Sequence, residues 1–430
     1  MNILDHLKIP SLVILLFFLI GSACTLLPAQ TDNLDETLAL PTLVDSLPTS
    51  IPASMLTETI IDVSPSEVKP VQNTPSSIPQ ATKTEMPAVL NPLNGLPVID
   101  PESLELPPAL IPISNFPVSV RPQSGLSFSP LVFEYYIGEG MTRFLAFYYG
   151  DLSGVKENGD LIGPVHSGRL PDEQLRQLYS GFLLISSASA NVARNLYHKT
   201  DIYAKADDQI GHVMLTSEEL IDVAKKEKGK LEKMGTSGML HDDVVPPEGL
   251  EGESFWLMYS YPNQVLWRYD GQSGAYQRYQ DRGDAVTFEM ITDKLTGKPL
   301  EFENVIIMFV EHEAKYETMI NFNLTFFKRF PAFLLRDGRL YKIFWSTTNT
   351  QEERATGRSS PIRFVDYDGH LFPLKPGQTW VQFVQPNTPY WESIDSEVYF
   401  DRVSKKEQGS GHWSMVFEPP IPLLELPSGE

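Results

Sequence analysis

The uneven distribution of aromatic residues divides this chain into a part that can build a hydrophobic core and a part that cannot. Of its 46 aromatic residues, Phe17 and Phe18 lie in an N-terminal apolar run, and the other 44 lie at or beyond Phe116. Aromatic side chains bury large apolar areas and dominate the energetics of protein cores. The folded part of this 430-residue chain is therefore predicted to begin near residue 91.

The segment between the apolar N-terminus and the aromatic part is rich in proline and acid. From Thr25 to Leu90 there are nine prolines, no glycine and no aromatic residue, and eight acidic residues face two lysines. Such a segment cannot bury enough apolar area to offset the entropy that the chain loses on folding. We therefore predict that residues 24–90 form a disordered, Pro-rich and acidic tether.

The N-terminus carries an apolar run followed by the only cysteine of the chain. Residues 11–23 have the sequence SLVILLFFLIGSA, Lys8 precedes them, and Cys24 follows them directly. This order is typical of a bacterial lipoprotein signal peptide, in which the cysteine thiol accepts a diacylglycerol group. We predict a signal peptide over residues 1–23 and lipidation at Cys24, although Gly21 stands where such signals usually have leucine.

An uncleaved transmembrane anchor is the alternative for the same segment. No charged residue occurs from Ile9 to Thr31, which is just long enough to span a bilayer. Small and polar residues in the second half make this stretch a poor span, so the lipoprotein interpretation is favoured. Both interpretations place the rest of the chain on the extracytoplasmic face of the cell membrane. The membrane, reached through a lipid anchor, is therefore the first predicted partner.

The charge balance and the single cysteine exclude several function classes. Fifty-five acidic residues face 34 basic ones, a formal net charge of −21, whereas a general nucleic-acid binder needs a basic face. One cysteine cannot form an intramolecular disulfide, a cysteine-based zinc site or an iron–sulfur cluster. HExxH, GxSxG, P-loop and dinucleotide-binding patterns do not occur in the sequence. No nucleic acid, cofactor or metal is expected to bind.

Residues 91–250 combine strand and helix patterns and are predicted to form a mixed α/β domain. Two aromatic and β-branched runs on either side of residues 138–140 (GEG) predict a β-hairpin. Pro171 suits the start of a helix, and Thr216 opens a helix-start pattern that ends in a lysine-rich turn. The predicted elements are hairpin strands 131–137 and 142–149, helices 172–180, 188–197 and 216–228, and a strand at 183–186.

After residue 250 the pattern changes to strands and turns, which predicts a mostly antiparallel, β-rich domain with a tail over residues 251–430. Three Asp-Gly pairs are typical of hairpin turns. The predicted strands cover residues 255–259, 265–269, 276–279, 304–310, 319–327, 339–345, 362–367 and 379–384. The tail after about residue 386 shows less pattern. The fold class is therefore α+β, a mixed α/β domain followed by a β-rich domain.

Two glycine-containing segments interrupt this regular pattern and carry the candidate site. Residues 138–144 (GEGMTRF) and 162–169 (IGPVHSGR) each place an arginine beside glycine and hydroxyl residues. An arginine fork with exposed glycine amides and a hydroxyl group can hold a carboxylate or a phosphate. The predicted ligand-binding residues are Thr142, Arg143, Ser167 and Arg169. Glu139 and His166 are the candidate catalytic acid and base, provided that they converge.

A purely structural role is the alternative for both arginines, and the sequence alone favours it. Tight glycine turns recur for backbone reasons that need no ligand. In that case Arg143 and Arg169 tie loops to backbone carbonyls or to neighbouring acids. His166 taken alone is expected to be a surface imidazole.

Two further clusters resemble metal ligands. They lie at residues 241–243 (HDD) and 311–313 (EHE). Adjacent residues rarely point to the same side of a strand, so neither cluster presents a good set of ligands. Solvated turns and edges are expected at both, and no metal site is predicted.

Seven short motifs along the folded part occur in a familiar order. They are residues 91–97 (NPLNGLP), 121–125 (RPQSG), 140–144 (GMTRF), 162–169 (IGPVHSGR), 304–307 (NVII), 360–364 (SPIRF) and 375–380 (KPGQTW). Over about residues 91–386 the chain thus resembles the YerB-like family of bacterial lipoproteins, a domain of unknown function. The resemblance implies a lipobox, a tether, an N-terminal mixed domain and a C-terminal β-rich domain, and it brings no established reaction.

The chain departs from the pattern of that family at the candidate site. The family usually has glycine at Glu139, and arginine and alanine at His166 and Gly168. A His-Asn pair of the family corresponds here to Arg194 and Asn195. If the family has an enzymatic site in this region, the resemblance implies that this member is altered.

Three hypotheses of function follow from these features. The leading one is a membrane-tethered extracytoplasmic binding or scaffolding protein, with a pocket near Arg143 and Arg169 for an anionic cell-envelope component or a partner protein. The alternative is an envelope hydrolase or transferase that acts on a wall glycan or phosphosugar. It requires Glu139 and His166 to meet the two arginines in one cleft. The third is a structural spacer whose β-rich domain makes only protein contacts.

Overall fold

The fold is seen in a computed structural model that describes residues 88–196, 213–236, 238–316, 318–324, 328–347, 354–355 and 361–423. The predicted signal peptide, Cys24 and the tether up to residue 87 lie outside the described residues. The described residues form one compact unit. In the part of the chain that the structure describes, no helix is long and apolar enough to cross a membrane.

Strands dominate the described residues. In chain order they are β1 (Ala109–Ser114), β2 (Leu131–Gly138), β3 (Met141–Tyr148), β4 (Ile162–Val165), β5 (Phe182–Leu183), β6 (Val213–Leu215), β7 (Leu240–His241), β8 (Leu250–Glu251), β9 (Ser254–Ser260), β10 (Asn263–Asp270), β11 (Ala275–Asp281), β12 (Phe288–Met290), β13 (Glu301–Phe302), β14 (Asn304–Phe309), β15 (His312–Tyr316), β16 (Met319–Phe322), β17 (Phe330–Arg336), β18 (Arg339–Ser346), β19 (Arg363–Val365), β20 (Pro373–Leu374), β21 (Thr379–Val384), β22 (Tyr390–Glu392) and β23 (His412–Val416). The helices are α1 (Ser153–Glu157), α2 (Leu170–Leu178), α3 (Ala190–Leu196), α4 (Ser217–Glu227) and α5 (Tyr399–Ser404). Short 3-10 turns cover Pro101–Glu105, Val118–Val120 and Leu126–Phe128.

The largest sheet is mixed and has 12 strands. Its order is β19-β18-β17-β14-β21-β2-β3-β1-β4-β6, with β5 beside β1 and β8 beside β18. Strand β21 runs parallel to both of its neighbours, β14 and β2, whereas the β2–β3 and β17–β18 pairs are antiparallel hairpins. Strands from both sides of residue 250 belong to this sheet. The large sheet thus crosses the boundary at residue 250. The division of the chain at that residue stays a prediction from sequence.

A second sheet of seven strands has the order β12-β11-β10-β9-β23-β22, with β13 beside β11. Its pairs are antiparallel except β9–β23, which is parallel. Two further pairs, β15–β16 and β20–β7, form small sheets of their own. The β-rich character predicted from sequence is confirmed, with mixed as well as antiparallel sheets.

The two large sheets share one hydrophobic core. Phe133 and Trp380 on the 12-stranded sheet and Leu257 and Trp267 on the seven-stranded sheet are completely buried members of the same apolar cluster. The ring centres of Trp267 and Trp380 are 5.6 Å apart, so the sheets touch directly. Burial of such aromatic side chains is the main source of stability for a body of this composition.

The hairpin predicted around residues 138–140 is confirmed. Strands β2 and β3 pair with Tyr135 opposite Arg143, and the register shifts between Tyr136 and Gly138. The turn between them contains Gly138, Glu139 and Gly140. All three turn residues have positive φ, at 104°, 52° and 76°. Glycine adopts this left-handed backbone without steric cost, which is why the GEG sequence marks the turn.

The predicted helices are confirmed in position with shifted ends. Helix α2 covers Leu170–Leu178 and α3 covers Ala190–Leu196, where the sequence predicted 172–180 and 188–197, and residue 197 lies outside the described residues. Helix α4 begins at Ser217, and Thr216 and Glu219 form the reciprocal capping box that the pattern predicted. The predicted strand 183–186 shortens to β5, which adds a short parallel edge to β1.

Several of the described strands escaped the sequence prediction, among them β1, β17 and β23. Strand β1 contains Pro112, and β17 begins with Phe330 and Pro331, so prolines hide both runs from a search for regular alternation. Strand β23 lies in the tail, which was predicted to have little pattern. It pairs with β9 through its backbone, and a strand partner so far away along the chain leaves no local signal.

The two metal-like clusters differ in outcome: both aspartates of residues 241–243 are exposed, as predicted, whereas residues 311–313 are not all solvated. His312 is buried, contrary to the solvated edge predicted for residues 311–313, because strand β15 turns it inward against Phe322 and turns Glu311 and Glu313 outward. Among the described residues, the acid and histidine side chains close enough to share an ion are Asp366, Asp368 and His370. Asp366 already accepts the backbone amides of Gly369 and His370, so a turn accounts for the arrangement.

Candidate functional site

Arg143 lies in the core of the site because strand β3 buries it. Its side chain is 4% exposed. Nη1 lies 3.4 Å from the carbonyl oxygen of Ser167, and the buried Nε atom has no hydrogen-bond partner. Since a guanidinium group offers five N–H donors, this group retains donors for a further acceptor.

The loop between β4 and α2 brings the second predicted segment to the same place. Arg169 is the N-cap residue of α2, and its backbone amide donates to Asp172 Oδ2 at 2.7 Å. The other carboxylate oxygen of Asp172 accepts the hydroxyl of Tyr135 on β2. Asp172 thus fastens the start of α2 to the strand next to Arg143.

The side chain of Arg169 is half-buried below the β15–β16 hairpin. Its Nη1 lies 3.5 Å from the carbonyl oxygen of Thr318, and its Nε atom has no hydrogen-bond partner. Gln174 on α2 binds Asn321 and Phe322 of the same hairpin, which holds the hairpin over the site. The cavity beside Arg169 has a volume of about 10 Å³, room for about one water molecule.

The two guanidinium groups and one carboxyl group determine the charge of the site. Burial, followed by repulsion from Arg169, lowers the pKa of Arg143 to about 9, so this group remains charged at neutral pH. Burial raises the pKa of Asp172 to about 6, against the opposing effects of Tyr135 and the two arginines. Burial and the charge of Asp172 raise the pKa of Tyr135, which stays neutral. At neutral pH two positive charges therefore face one negative charge.

His166 belongs to the same cluster but is poorly suited to act as a base. Burial, followed by the charges of Arg143 and Arg169, lowers the pKa of His166 to about 3, so the imidazole is neutral. Its Nδ1 atom already accepts the backbone amide of Ser167 at 2.7 Å. The Ser167 hydroxyl in turn lies 2.7 Å from the hydroxyl of Ser187. The half-buried position of His166 also corrects the surface imidazole expected from sequence.

Thr142 does not lie with Arg143, which corrects its place in the predicted ligand set. Adjacent residues of a strand point to opposite faces of the sheet. Thr142 is completely buried on the other face, where its hydroxyl donates to Glu134 at 3.0 Å and accepts from Asn115 and Asn263.

Glu139 stands apart from the cluster. It lies exposed at the tip of the β2–β3 hairpin, and the carbonyl oxygen of the following Gly140 accepts from Ser260 and Asn263 of the second sheet. Among the described residues, no hydrogen bond or ion pair joins Glu139 to His166. The structure therefore brings Arg143, His166, Ser167 and Arg169 together and leaves the second member of the proposed acid/base pair outside.

Sequence reasoning missed Tyr135 and Asp172. Asp172 stands three residues after the N-cap and directly follows Pro171, which is a helix-start signal that could have identified its capping role. Tyr135 carries no local signal, because it reaches the site only through the strand register that places it opposite Arg143.

Comparison with known proteins assigns this β-rich chain with its partly buried arginine cluster to a family of unknown biochemical role. Residues 93–225 match the N-terminal domain, and residues 256–381 the C-terminal domain, of the family described as "Protein of unknown function (DUF3048)". The chain belongs to this family, which confirms the resemblance found in the motifs.

One relative has both a curated name and a solved structure. "Putative lipoprotein YerB" of Bacillus subtilis (strain 168) is 27% identical over an alignment of 315 residues, and the match covers 68% of this chain and 85% of the relative. The crystal structure of the YerB protein from Bacillus subtilis covers 70% of this chain and 97% of that chain, with a TM-score of 0.55 and 24% identity. The structural likeness shows a shared fold, and the relative's name describes a lipoprotein.

Proposed function

We infer that this protein is a lipid-anchored lipoprotein on the extracytoplasmic face of the membrane that binds an anionic cell-envelope component at Arg143 and Arg169. The observation that carries the proposal is the excess of positive charge in this cluster of a protein whose formal net charge is −21. The proposal keeps the division into a mixed α/β domain over residues 91–250 and a mostly antiparallel, β-rich domain after them. The two separately matching family domains support that division.

The class of ligand follows from the donors that the cluster leaves unused. Both Nε atoms lack hydrogen-bond partners, and the contact of Arg169 with the carbonyl oxygen of Thr318 is long at 3.5 Å. Carboxylates and phosphates accept two parallel N–H bonds from a guanidinium group and neutralise its charge. An incoming oxyanion would replace the contact to Thr318 and shift the β15–β16 hairpin outward.

Arg169→Gln is expected to abolish stabilisation of the full-length protein by anionic ligands. A ligand at about 100 times its dissociation constant adds about 2.7 kcal/mol to the free energy of unfolding. The measurement is a thermal-shift series with sulfate, phosphosugars, muropeptides and anionic wall polymers. Arg282→Gln is the matched control, because Arg282 is an exposed arginine paired with Glu289 on the second sheet. An equal shift in wild type and Arg169→Gln would contradict the proposal.

Sulfate affinity is expected to rise about fivefold between pH 7.5 and pH 5.0. As the pH falls through about 6, Asp172 takes up a proton and the net charge of the cluster changes from +1 to +2. One additional unit of positive charge beside the bound sulfate contributes about 1 kcal/mol to the binding free energy in a partly buried site. Isothermal titration checks the expectation with sulfate, whose charge is constant over this range.

The matched control for the pH series is Asp172→Asn, which keeps a side-chain oxygen for the Arg169 amide. Arg143 stays charged and Tyr135 and His166 stay neutral over this range, whereas Asp172 titrates within it. Sulfate affinity of the variant should not change with pH beyond what exposed groups cause. A wild-type affinity that is flat, or a variant as pH-dependent as wild type, would count against the assignment.

Lipidation at Cys24 is proposed from the signal pattern and from the name of the relative. Mass spectrometry of the N-terminal peptide is expected to find a wild-type protein that begins at Cys24 and carries a diacylglycerol group. Cys24→Ser should lack the lipid, because the acceptor thiol is gone. A wild-type protein that retains residues 1–23 would identify the segment as an uncleaved anchor instead.

A further inference from the structure

A groove of about 530 Å³ lies at the far end of strand β3 from Arg143. It runs between the 3-10 turn Pro101–Glu105, the segment that follows β3 and helix α4. Leu106, Leu152 and Ile221 line it with apolar surface. Its volume falls within the range of about 300–1,000 Å³ that small-molecule sites occupy.

The rims of this groove carry charges of opposite sign. Asp100 and Glu102 stand on the side of the 3-10 turn, and Lys156, Lys225 and Lys228 stand on the side of helices α1 and α4. Asp151 also lines the groove, directly before α1, where it accepts the backbone amide and the hydroxyl of Ser153. The helix side therefore carries three lysines and one acid, a net positive charge, and the side of the 3-10 turn carries two acids.

The lysine rim is available to a ligand. Lys225 lies 4.0 Å from Asp222, and both of these side chains are more than half exposed, so this contact is weak. Among the described residues, Lys156 and Lys228 form no ion pair within 4.0 Å. The ammonium groups therefore do not reach the acids on the opposite rim, and the groove between them stays open.

We propose that this groove binds a short peptide whose free ammonium and carboxylate groups reach the two rims. The carboxylate faces Lys225 and Lys228, the ammonium faces Asp100 and Glu102, and small apolar side chains rest on Leu106, Leu152 and Ile221. A ligand with one charge would satisfy one rim and leave the other solvated. The site is separate from the arginine cluster and does not depend on the function proposed for it.

Four forms of trialanine test the proposal by titration calorimetry with the full-length protein. They are the free tripeptide, its N-acetyl form, its C-amide and the form blocked at both ends. The free form is expected to bind best, with a loss of about fivefold for each blocked end and a larger loss for both. Equal affinities of the four forms, or no binding at millimolar concentration, would overturn the proposal.

A double variant assigns each end of the peptide to its rim. In Lys225→Ala/Lys228→Ala, the free tripeptide should bind about as weakly as the C-amide binds to wild type, and amidation should cause no further loss. N-acetylation should still weaken binding. Lys294→Ala/Lys298→Ala removes two exposed lysines outside the groove and should match wild type. If Lys225→Ala/Lys228→Ala still bound the C-amide more weakly than the free tripeptide, the lysine rim would not hold the carboxylate.

Discussion

Glu134→Gln is expected to lower the free energy of unfolding by about 3–5 kcal/mol, because it leaves the charge of Arg278 buried without a counter-ion. Glu134 is completely buried on β2, and Arg278 on β11 is 1% exposed. Arg278 Nη1 lies 3.0 Å from Glu134 Oε2. The pair joins the 12-stranded sheet to the seven-stranded sheet, so its loss affects the contact between the two.

The carboxylate of Glu134 is saturated by polar groups, which is the condition for a buried charge to be tolerated. Oε1 accepts from Thr142 at 3.0 Å and from Arg278 Nη2 at 3.2 Å. Oε2 accepts from Trp380 and Gln382, both at 3.1 Å. Whichever way a glutamine turned its amide group, that group would face donors that now bind the carboxylate.

Aromatic rings surround the guanidinium group of Arg278. Its carbon atom lies 4.4 Å from the ring centre of Trp380, 5.1 Å from that of Phe144 and 5.2 Å from that of Trp267. The ring faces attract a cation, but such contacts contribute about 2 kcal/mol and cannot replace a carboxylate. Arg278→Met keeps an aliphatic side chain against these rings and removes the charge together with its N–H donors.

Urea unfolding of the wild type, two single variants and the double variant distinguishes the contribution of the ion pair from that of its surroundings. The single variants Glu134→Gln and Arg278→Met should each be strongly destabilised, and the double variant should recover much of the loss because no charge is left unpaired. Arg282→Met is the matched surface control, since the Arg282–Glu289 pair is largely exposed and should contribute little. Single variants within about 1 kcal/mol of wild type would show that water reaches the pair.

The sequence was sufficient to predict the structure wherever the structural signal is local. The positive φ of Gly138 and Gly140 favours the glycines that mark the β2–β3 turn, and the capping box at Thr216 fixes the start of α4. The same local signals identified the segments of Arg143 and Arg169, and the structure places these two residues together. Whether an anion binds there stays a prediction.

The sequence was insufficient to predict the contacts of a residue wherever its position depends on a strand far along the chain. Glu134 and Arg278 are 144 positions apart, and each alone is an unremarkable charge in an alternating run. The parallel pairing of β21 with both β2 and β14 determines which residues face the shared core, and no turn residue specifies it. Thr142 is adjacent to Arg143 in the sequence, which suggests a shared ligand, but the alternation of a strand turns its side chain to the opposite face of the sheet.

A second buried carboxylate connects distant parts of the chain. Asp293, which is 1% exposed, accepts the backbone amides of Gly125 at 2.9 Å, Ser127 at 2.7 Å and Leu295 at 2.8 Å, and the hydroxyl of Ser127 at 2.7 Å. Gly125 has a φ of 89°, so its amide is held toward the carboxylate by a backbone conformation that favours glycine.

Asp293→Asn is therefore expected to lower the free energy of unfolding by about 2–5 kcal/mol. An asparagine has the same shape, but it offers one oxygen, so its amide group must face either the two donors of Ser127 or those of Gly125 and Leu295. Each buried donor left without an acceptor costs about 1–3 kcal/mol. Urea unfolding followed by tryptophan fluorescence measures the loss, and the transition should stay single because both ends of the contact belong to one compact unit.

Asp284→Asn is the matched control for this prediction, because Asp284 accepts the amides of Val286 and Thr287 in an exposed turn. Backbone hydrogen bonds lower the pKa of Asp284 to about 2, yet water replaces these contacts readily and the variant should unfold nearly like wild type. An equal effect of both substitutions would mean that the Asp293 contact is open to solvent. A loss confined to Asp293→Asn would show that a buried acceptor joins residues 125–127 to the turn at 293–295, 168 positions further along the chain.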